Sequence, residues 1–396
     1  MAEDVLVIGA GPAGIASAYF LEQAGISYRV VDHANVIAST WNSLYPSLRI
    51  NTTRFFSHLP SKIFPLHYGI FPTGRQYHNY LTEFVNEHPF NIQLGVGVRQ
   101  ITPHDNGWLV EFDDANRTTE WFPAIISATG RFGNPSIPKI PGLDQFEGQW
   151  LHAHDYTSPL PYSGQRVMVL GNGPTGLDLA VEVGQQNTPA HPALLSMRTG
   201  VILKPRYPLG VPRHVWTMIG ERFPVIGPKL AQRIEAIQFS RRKLEKLGIR
   251  IPPSGQMSAA ASTRGAELIH AVRAGQVKCV TGIARLEGNC TILDDGSRFE
   301  LDTLILATGY DPVLYHYFPC QFETDANGWP LRDLSQHPNG REVKGFPGLY
   351  LVGVFYKGKG AMYNFNVEAE IAVSQIQERL QYRLQPLQTA KFTLPV

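Results

Sequence analysis

Two short runs carry the residues best suited to chemistry, Gly9-Ala10-Gly11-Pro12-Ala13-Gly14 and Gly171-Asn172-Gly173-Pro174-Thr175-Gly176. In such a run one glycine makes a tight turn, another lets bare backbone approach a pyrophosphate, and the last lets a helix pack closely on a strand. The helix that follows points its N–H groups and positive dipole end at the phosphates. A glycine pattern alone says little, but each run here follows an apolar strand and opens a helix. The segments beyond the two runs differ. The first βαβ unit ends its second strand on Asp32, whose carboxylate suits free ribose hydroxyls, while the second runs into Ser196-Met197-Arg198-Thr199, where a guanidinium suits a 2′-phosphate. The first site reads as one for FAD and the second as one for NADPH.

Other chemistries find little support. Cys279, Cys290 and Cys320 are far apart, with the spacing of neither a dithiol nor a zinc site. The histidines, among them His58, His67, His78 and His88, lack metal-ligand spacing, so no metal is expected. No nucleophile, base and acid form a set. Lys plus Arg (35) nearly balance Asp plus Glu (33), and no basic stripe suggests nucleic acid. The run Arg241, Arg242, Lys243, Lys246 and Arg250 reads as the solvated face of an amphipathic helix. No apolar run approaches a membrane span, and the chain enters its first strand without a leader, so a cytoplasmic location is expected. The partners expected are a small substrate and O2, with a homodimer as the default assembly.

These sites need two sheets to hold them, and 396 residues with 43% apolar content can fill two cores. Val5 to Ile8, a helix to Gln23 with a stop at Gly25, and Tyr28 to Val31 make the first βαβ unit. Arg166 to Leu170, a helix through Val183, and Ala193 to Leu195 make the second. Each nucleotide domain then closes with a hairpin and a buried strand reaching Ala-Thr-Gly: Gly107 to Phe112 before Thr129-Gly130, and Thr291 to Leu293 with Asp295-Gly296 before Thr308-Gly309. Pro135, Pro138, Pro141 and Pro312 stiffen the connectors. The fold class expected is α/β, with two nested Rossmann-like dinucleotide-binding domains, the NADPH domain (158–302) inserted into an FAD domain (1–157 and 303–396) that ends in a strand, Leu349 to Val352, and a helix from about Val367 to Arg383.

With these motifs in order, nearly the whole chain resembles the class B flavin-containing monooxygenases. Phe146-Glu147-Gly148-Gln149-Trp150-Leu151-His152-Ala153-His154-Asp155-Tyr156 is similar to the family's identifying segment, and Ala307-Thr308-Gly309-Tyr310 to its second linker. Ser43 to Thr52 is similar to the stretch carrying the family's active-site asparagine, here Asn51. Departures exist. Ala38-Ser39-Thr40-Trp41 lacks the usual double glycine and looks more like the plant YUCCA branch, Pro174-Thr175 stands where Asn-Ser is common, and Tyr156-Thr157 lacks the usual basic residue.

The resemblance implies hydride transfer from NADPH to FAD, addition of O2 as a C4a-hydroperoxide, and oxygenation of a soft nucleophile, a thioether sulfur or amine nitrogen. Asn51 is the side chain it places in that pocket, where an amide can donate and accept at once. Thr40, Trp41, Thr52, Val98 and Thr129 are implied FAD contacts, with Trp41 as a packing wall, and His152 is expected to be a structural hydrogen-bonder. The loops Phe55 to Tyr68 and Tyr207 to Phe223 are expected to wall an apolar substrate pocket. Baeyer–Villiger oxidation, YUCCA-like decarboxylation, a flavoprotein reductase without oxygenation, and a redox-sensing binding protein are the alternatives.

Overall fold

The computed structural model describes residues 3–204, 207–222, 241–252, 262–326, 328–354 and 360–384. Its frame is two parallel sheets. In the first, Val5–Ile8 lies between Tyr28–Asp32 and Ala124–Ser127, all parallel; Ile92–Leu94 extends one edge, and Phe346–Leu351 with the antiparallel Glu342–Val343 extends the other. The second sheet is parallel throughout, in the order Val277–Val280, Ala193–Ser196, Val167–Leu170, Thr303–Leu306 and Gln149–His152.

Each central strand is covered on both faces, which is why its sequence is uninterrupted apolar rather than alternating. Val5 and Val7 point into a core shared with the helices Pro12–Ala24, Gly74–Asn86 and Ala361–Leu384. Leu6 and Ile8 point the other way, into a core capped by the antiparallel meander Gly97–His104, Gly107–Asp113 and Thr119–Phe122. The second sheet repeats the plan. Val167 and Val169 face the Pro174–Gln186 and Ala266–Arg273 helices, and Met168 faces a core with residues of the meander Ile283–Glu287, Cys290–Leu293 and Arg298–Glu300. Both expected hairpins are thus present, each as part of a three-stranded cap.

Strand pairing, the last helix and the basic run fill in the expected organisation. Strand pairing crosses both expected domain boundaries: Gln149–His152 and Thr303–Leu306 hydrogen-bond to each other inside the second sheet, although they fall outside 158–302. The final helix begins at Ala361 rather than near Val367, because the polar residues that mask its start are spent on carbonyls. Asn364 Nδ2 donates to the Gly360 carbonyl (2.5 Å) and Asn366 Nδ2 to that of His58 (2.8 Å), while Met362 and Phe365 are buried. Of the basic run, Arg241–Glu245 is helical with Leu244 buried, Arg241 pairs with Glu245 (2.8 Å), and the other charges are solvated.

The two glycine loops are tightened by backbone contact. A Cβ on Gly14 would lie 1.8 Å from the Gly9 carbonyl oxygen, and one on Gly176 would lie 2.0 Å from that of Gly171. Gly9 and Gly171 have φ of +107° and +131°, which side chains rarely adopt, and each would also strike the carbonyl of the neighbouring Ala128 or Ala307. Gly14→Ala is therefore expected to lower stability by about 1–3 kcal/mol, the usual cost of overpacking. Urea unfolding checks this, and an unchanged midpoint would show that the helix can retreat from the strand at no cost.

Candidate active site

Each loop leaves its middle glycine uncovered. A Cβ on Gly11 or on Gly173 would meet nothing within 4 Å, and both are N-caps with ordinary negative φ, −79° and −75°. The protein's own packing demands the first and third glycines of each run; the second faces open space in front of a helix N-terminus. Pro12 and Pro174 occupy the first helical turn, where the missing N–H goes unneeded. Ala10, Ala13 and Thr175 complete the loops. Two cradles of the same design thus sit at the carboxyl ends of parallel strands, where dinucleotides bind in such sheets.

Asp32 is buried at the end of its strand and already accepts two backbone N–H groups, from Ala10 (2.7 Å, on Oδ2) and Ala34 (2.9 Å, on Oδ1). A carboxylate has about four acceptor positions, so it ties the first loop to the strand and keeps capacity for ribose hydroxyls. Val98 is half-buried in the meander opposite Phe112, and its neighbour Gly97 approaches His33. Thr129 follows the Ala124–Ser127 strand, its hydroxyl 3.4 Å from that of Ser127 and its Cα beside Gly9. Thr40 is half-buried on the short Ser39–Ser43 helix, and Trp41 packs edge-on against Tyr77 with ring centroids 4.6 Å apart. Ala38, at φ +50°, donates its N–H to the Ala10 carbonyl and turns this segment back over the first loop.

Asn51 is exposed, and its amide has no partner among the described residues. Its backbone is nevertheless fixed. Ile50 and Arg54 donate to the carbonyls of Pro72 and Ile70, and Gly74 to that of Leu48. Thr52 beside it is buried, with its hydroxyl on Ser57 (2.6 Å) and its methyl carbon beneath Gly360, so its side chain is engaged in closing the fold. A few residues upstream Tyr45 is buried in the core of the second domain, edge-on to Tyr156 and 3.4 Å from Asp178. The stretch that presents Asn51 therefore straddles both domains.

In the second cradle Asn172 Nδ2 donates to the Gly200 carbonyl, holding the Ser196-to-Gly200 turn against the glycine loop. Ser196 is fully buried and donates to the Thr281 carbonyl (2.8 Å), which leaves Arg198 and Thr199 as the exposed members of that segment.

The two linkers between the domains pair with each other. Asn134–Pro135 runs antiparallel to Tyr310–Asp311, Ser136 donates to the Gly309 carbonyl, and the Thr308 hydroxyl donates to that of Ser136 (2.6 Å). His152 fastens this ribbon. Its Nδ1 accepts the His154 N–H (3.0 Å), so Nε2 carries the proton and donates to the Gly309 carbonyl (3.1 Å). Burial pulls its pKa below the ordinary value, so it stays neutral and structural. On the expected pocket walls Phe55, Ile63, Leu66, Leu209 and Met218 are exposed, and Tyr207 meets the ring of Phe71 (5.5 Å), just beyond the first wall; Phe223 lies outside the described residues.

Sequence reasoning missed a third wall of the first cradle. Gly353, at φ +91°, follows the Phe346–Leu351 strand, and a Cβ there would lie 2.7 Å from that of Ala13. Buried Glu368 accepts its N–H (2.7 Å), and Arg131 donates to the carbonyl of Val354 (3.4 Å). The signal was there: Glu368 lies on the helix face that carries Phe365, Ala369, Ala372 and Ile376, where an acid is out of place unless it has a task.

A fold of two dinucleotide cradles joined by paired linkers defines a pyridine-nucleotide flavoprotein oxidoreductase, and the comparisons with known proteins agree. The family profile for pyridine nucleotide-disulphide oxidoreductases matches residues 6–191. The chain is 28% identical over 371 residues to the probable indole-3-pyruvate monooxygenase YUCCA8 of Arabidopsis thaliana, covering 89% of this chain and 84% of that one. The flavin-containing monooxygenase of Stenotrophomonas maltophilia has the same fold, at TM-score 0.71 and 21% identity, covering 96% of this chain and 99% of the other. So does OTEMO in complex with FAD and NADP, at TM-score 0.71 and 18% identity over 96% and 85%. Over nearly its whole length the chain is thus similar to flavin-dependent monooxygenases. The disulphide chemistry in the profile's description has no counterpart here: all three cysteines are free, and burial pushes Cys279 up to about 12. Among the described residues there is no metal-ligating cluster, and no helix is long and apolar enough to cross a membrane.

Two substitutions test the cradles separately. Gly11→Val should leave the unfolding midpoint unchanged while weakening FAD binding on the order of tenfold or more, because the branched side chain enters only the open space. FAD retained at full affinity would refute the first site. Arg198→Ala should weaken NADPH about ten- to a hundredfold, the size of a charge-assisted pair, and leave NADH unaffected. Equal coenzyme preference in the unmodified protein would remove Arg198 from the second site.

Proposed function

We infer that this enzyme takes hydride from NADPH bound at the Gly171–Gly176 loop, holds FAD at the Gly9–Gly14 loop, and uses O2 to oxygenate a thioether sulfur or amine nitrogen of a small substrate. The observation that carries this reading is the pair of open middle glycines, each in front of a helix N-terminus and each flanked by glycines that packing alone explains. The acid at the first strand end and the exposed Arg198 at the second support placing FAD at the first loop and NADPH at the second. FAD, when bound, supplies the two-electron and O2 chemistry that no side chain can.

What this chain's own residues contribute is position and dryness. The helix dipoles and loop N–H groups neutralise the pyrophosphates. Trp41 meets Tyr77 edge-on and Tyr77 stacks on Phe64, an aromatic cluster in the core that also holds Ala10 and Ala13 of the first cradle. Asn51 offers two donors and an acceptor from a loop whose backbone is pinned on both sides, so little ordering would be needed for its amide to meet a bound coenzyme. Exposed Phe55, Ile63, Leu66, Leu209 and Met218 suit an uncharged, apolar substrate.

A second reading is favoured by one feature, the Ala38-to-Trp41 segment together with the YUCCA relatives: oxidative decarboxylation of an indolic 2-oxo acid. The apolar side chains around the approach favour the neutral substrate. Incubation with an alkyl aryl sulfide and with an aromatic 2-oxo acid, with products identified by mass, separates the two.

Asn51→Ala should keep FAD content and the rate of NADPH-driven bleaching, since neither uses its amide. A hydrogen bond lost in a dry site costs about 1–3 kcal/mol, so peroxide release should rise roughly five- to a hundredfold at the expense of sulfoxide. Parallel assays of NADPH consumed, H2O2 released and sulfoxide formed check this. Wild-type coupling in the variant would make Asn51 an ordinary loop residue.

A further inference from the structure

The buried charge cluster behind the first cradle is used by none of the steps above. Glu368 is 1% exposed on the Ala361–Leu384 helix. Its carboxylate accepts the N–H of Gly353 (2.7 Å), which with Val354 carries the chain off the end of the sheet and past Ala13 of the first loop. Its other oxygen lies 3.7 Å from Arg341 Nε, and both of those atoms lack a hydrogen-bond partner. Arg341 is held from elsewhere: its N–H donates to Gln375 Oε1 (2.8 Å), and its Nη1 to the Gly340 carbonyl (3.1 Å).

We propose that Glu368 is a positioning residue for the dinucleotide at the first glycine loop, acting through the Gly353–Val354 turn that its carboxylate clamps against Ala13. This rests on the assignment of FAD to that loop. Among the described residues, the groups that act on the carboxylate are the Gly353 amide and the guanidiniums of Arg341 and Arg332, all donors. The ionised form satisfies them. A proton on the carboxyl finds no acceptor among these groups and turns the charge-assisted bond to Gly353 into a weaker neutral one. Among the described residues, the remaining elements in contact add no competing charge. The Phe346–Leu351 strand has none, the Pro12–Ala24 helix meets the turn with Ala13, and Arg131 sits across the turn on the Val354 carbonyl. Burial raises the Glu368 carboxyl to about 7, so the clamp opens and closes near neutrality.

A structural and a positioning role predict opposite signs with pH. The folded pKa lies above the ordinary carboxyl value, so Glu368 contributes fold stability that is present below that value and lost as pH rises through about 7. A positioning role makes FAD affinity rise over the same interval. The test titrates apoprotein with FAD by fluorescence at about pH 6 and about pH 8.5, for wild type, Glu368→Gln and Glu368→Asp, with thermal midpoints of each apoprotein and the NADPH dissociation constant as controls.

Wild type should bind FAD about tenfold more tightly at the higher pH, the scale of one charge-assisted hydrogen bond, while its midpoint falls relative to Glu368→Gln. Glu368→Gln should bind FAD weakly at both pH values with the slope gone. Glu368→Asp should recover the slope in part, and NADPH affinity should change less than about twofold throughout. Glu368→Gln with wild-type FAD affinity, or with the wild-type slope, overturns the proposal alone. If that variant does not fold, wild-type affinity flat across the interval overturns it equally. Wild type that binds no FAD at either pH overturns the assignment of the first loop and this proposal with it.

Discussion

The structure depends on one contact made twice: a glycine Cα set so close to the carbonyl of the first glycine in its loop that no Cβ fits between them. At Gly14 the clearance for a Cβ is 1.8 Å and at Gly176 it is 2.0 Å. That contact brings each helix down onto its strand and aims its N-terminus at the space over the middle glycine. The strands that carry the loops are central in their sheets and apolar on both faces, so the position of each cradle is set by two cores at once. Binding energy at the cradles can then go to the ligand rather than to ordering the site.

A second constraint relates the cradles to each other. The connectors cross as an antiparallel ribbon fastened by neutral His152, and the stretch that presents Asn51 sends Tyr45 into the opposite core. Neither domain can turn without disturbing these bonds. The same segments that join the domains therefore hold the candidate catalytic amide, and Glu368 steadies the third wall from behind.

Much of this was legible in the residues because the chemistry leaves a local mark. Gly9, Gly14, Gly171 and Gly176 are read from spacing, since a phosphate cradle and a close helix–strand contact each need bare backbone at a fixed offset. The meanders were legible from Asn106-Gly107 and Asp295-Gly296, although the tight turn itself falls on Asp105 and Asn106, both at positive φ. That Gln149–His152 and Thr303–Leu306 pair within the second sheet is a long-range relation that local pattern does not contain. The terminal helix was drawn short because Asn364 and Asn366 look like helix breakers until their carbonyl partners are seen. Ser196 shares its segment with Arg198, and only the fold shows that its hydroxyl turns inward to the Thr281 carbonyl. Glu368 escaped notice because its partners, Gly353 and Arg341, come from distant stretches of chain.

The two cradles, the dithiol-free core and the homology to flavin monooxygenases all bear on a single claim, that reducing equivalents from NADPH are used to place an oxygen atom from O2 in a small molecule. Isotope labelling tests it most directly. FAD-loaded protein turned over with NADPH and an alkyl aryl sulfide under oxygen-18 gas should yield sulfoxide carrying the heavy isotope, with none incorporated from labelled water. Sustained NADPH oxidation that reduces an acceptor without oxygen, with no label in any product, would contradict the account and leave a reductase in its place.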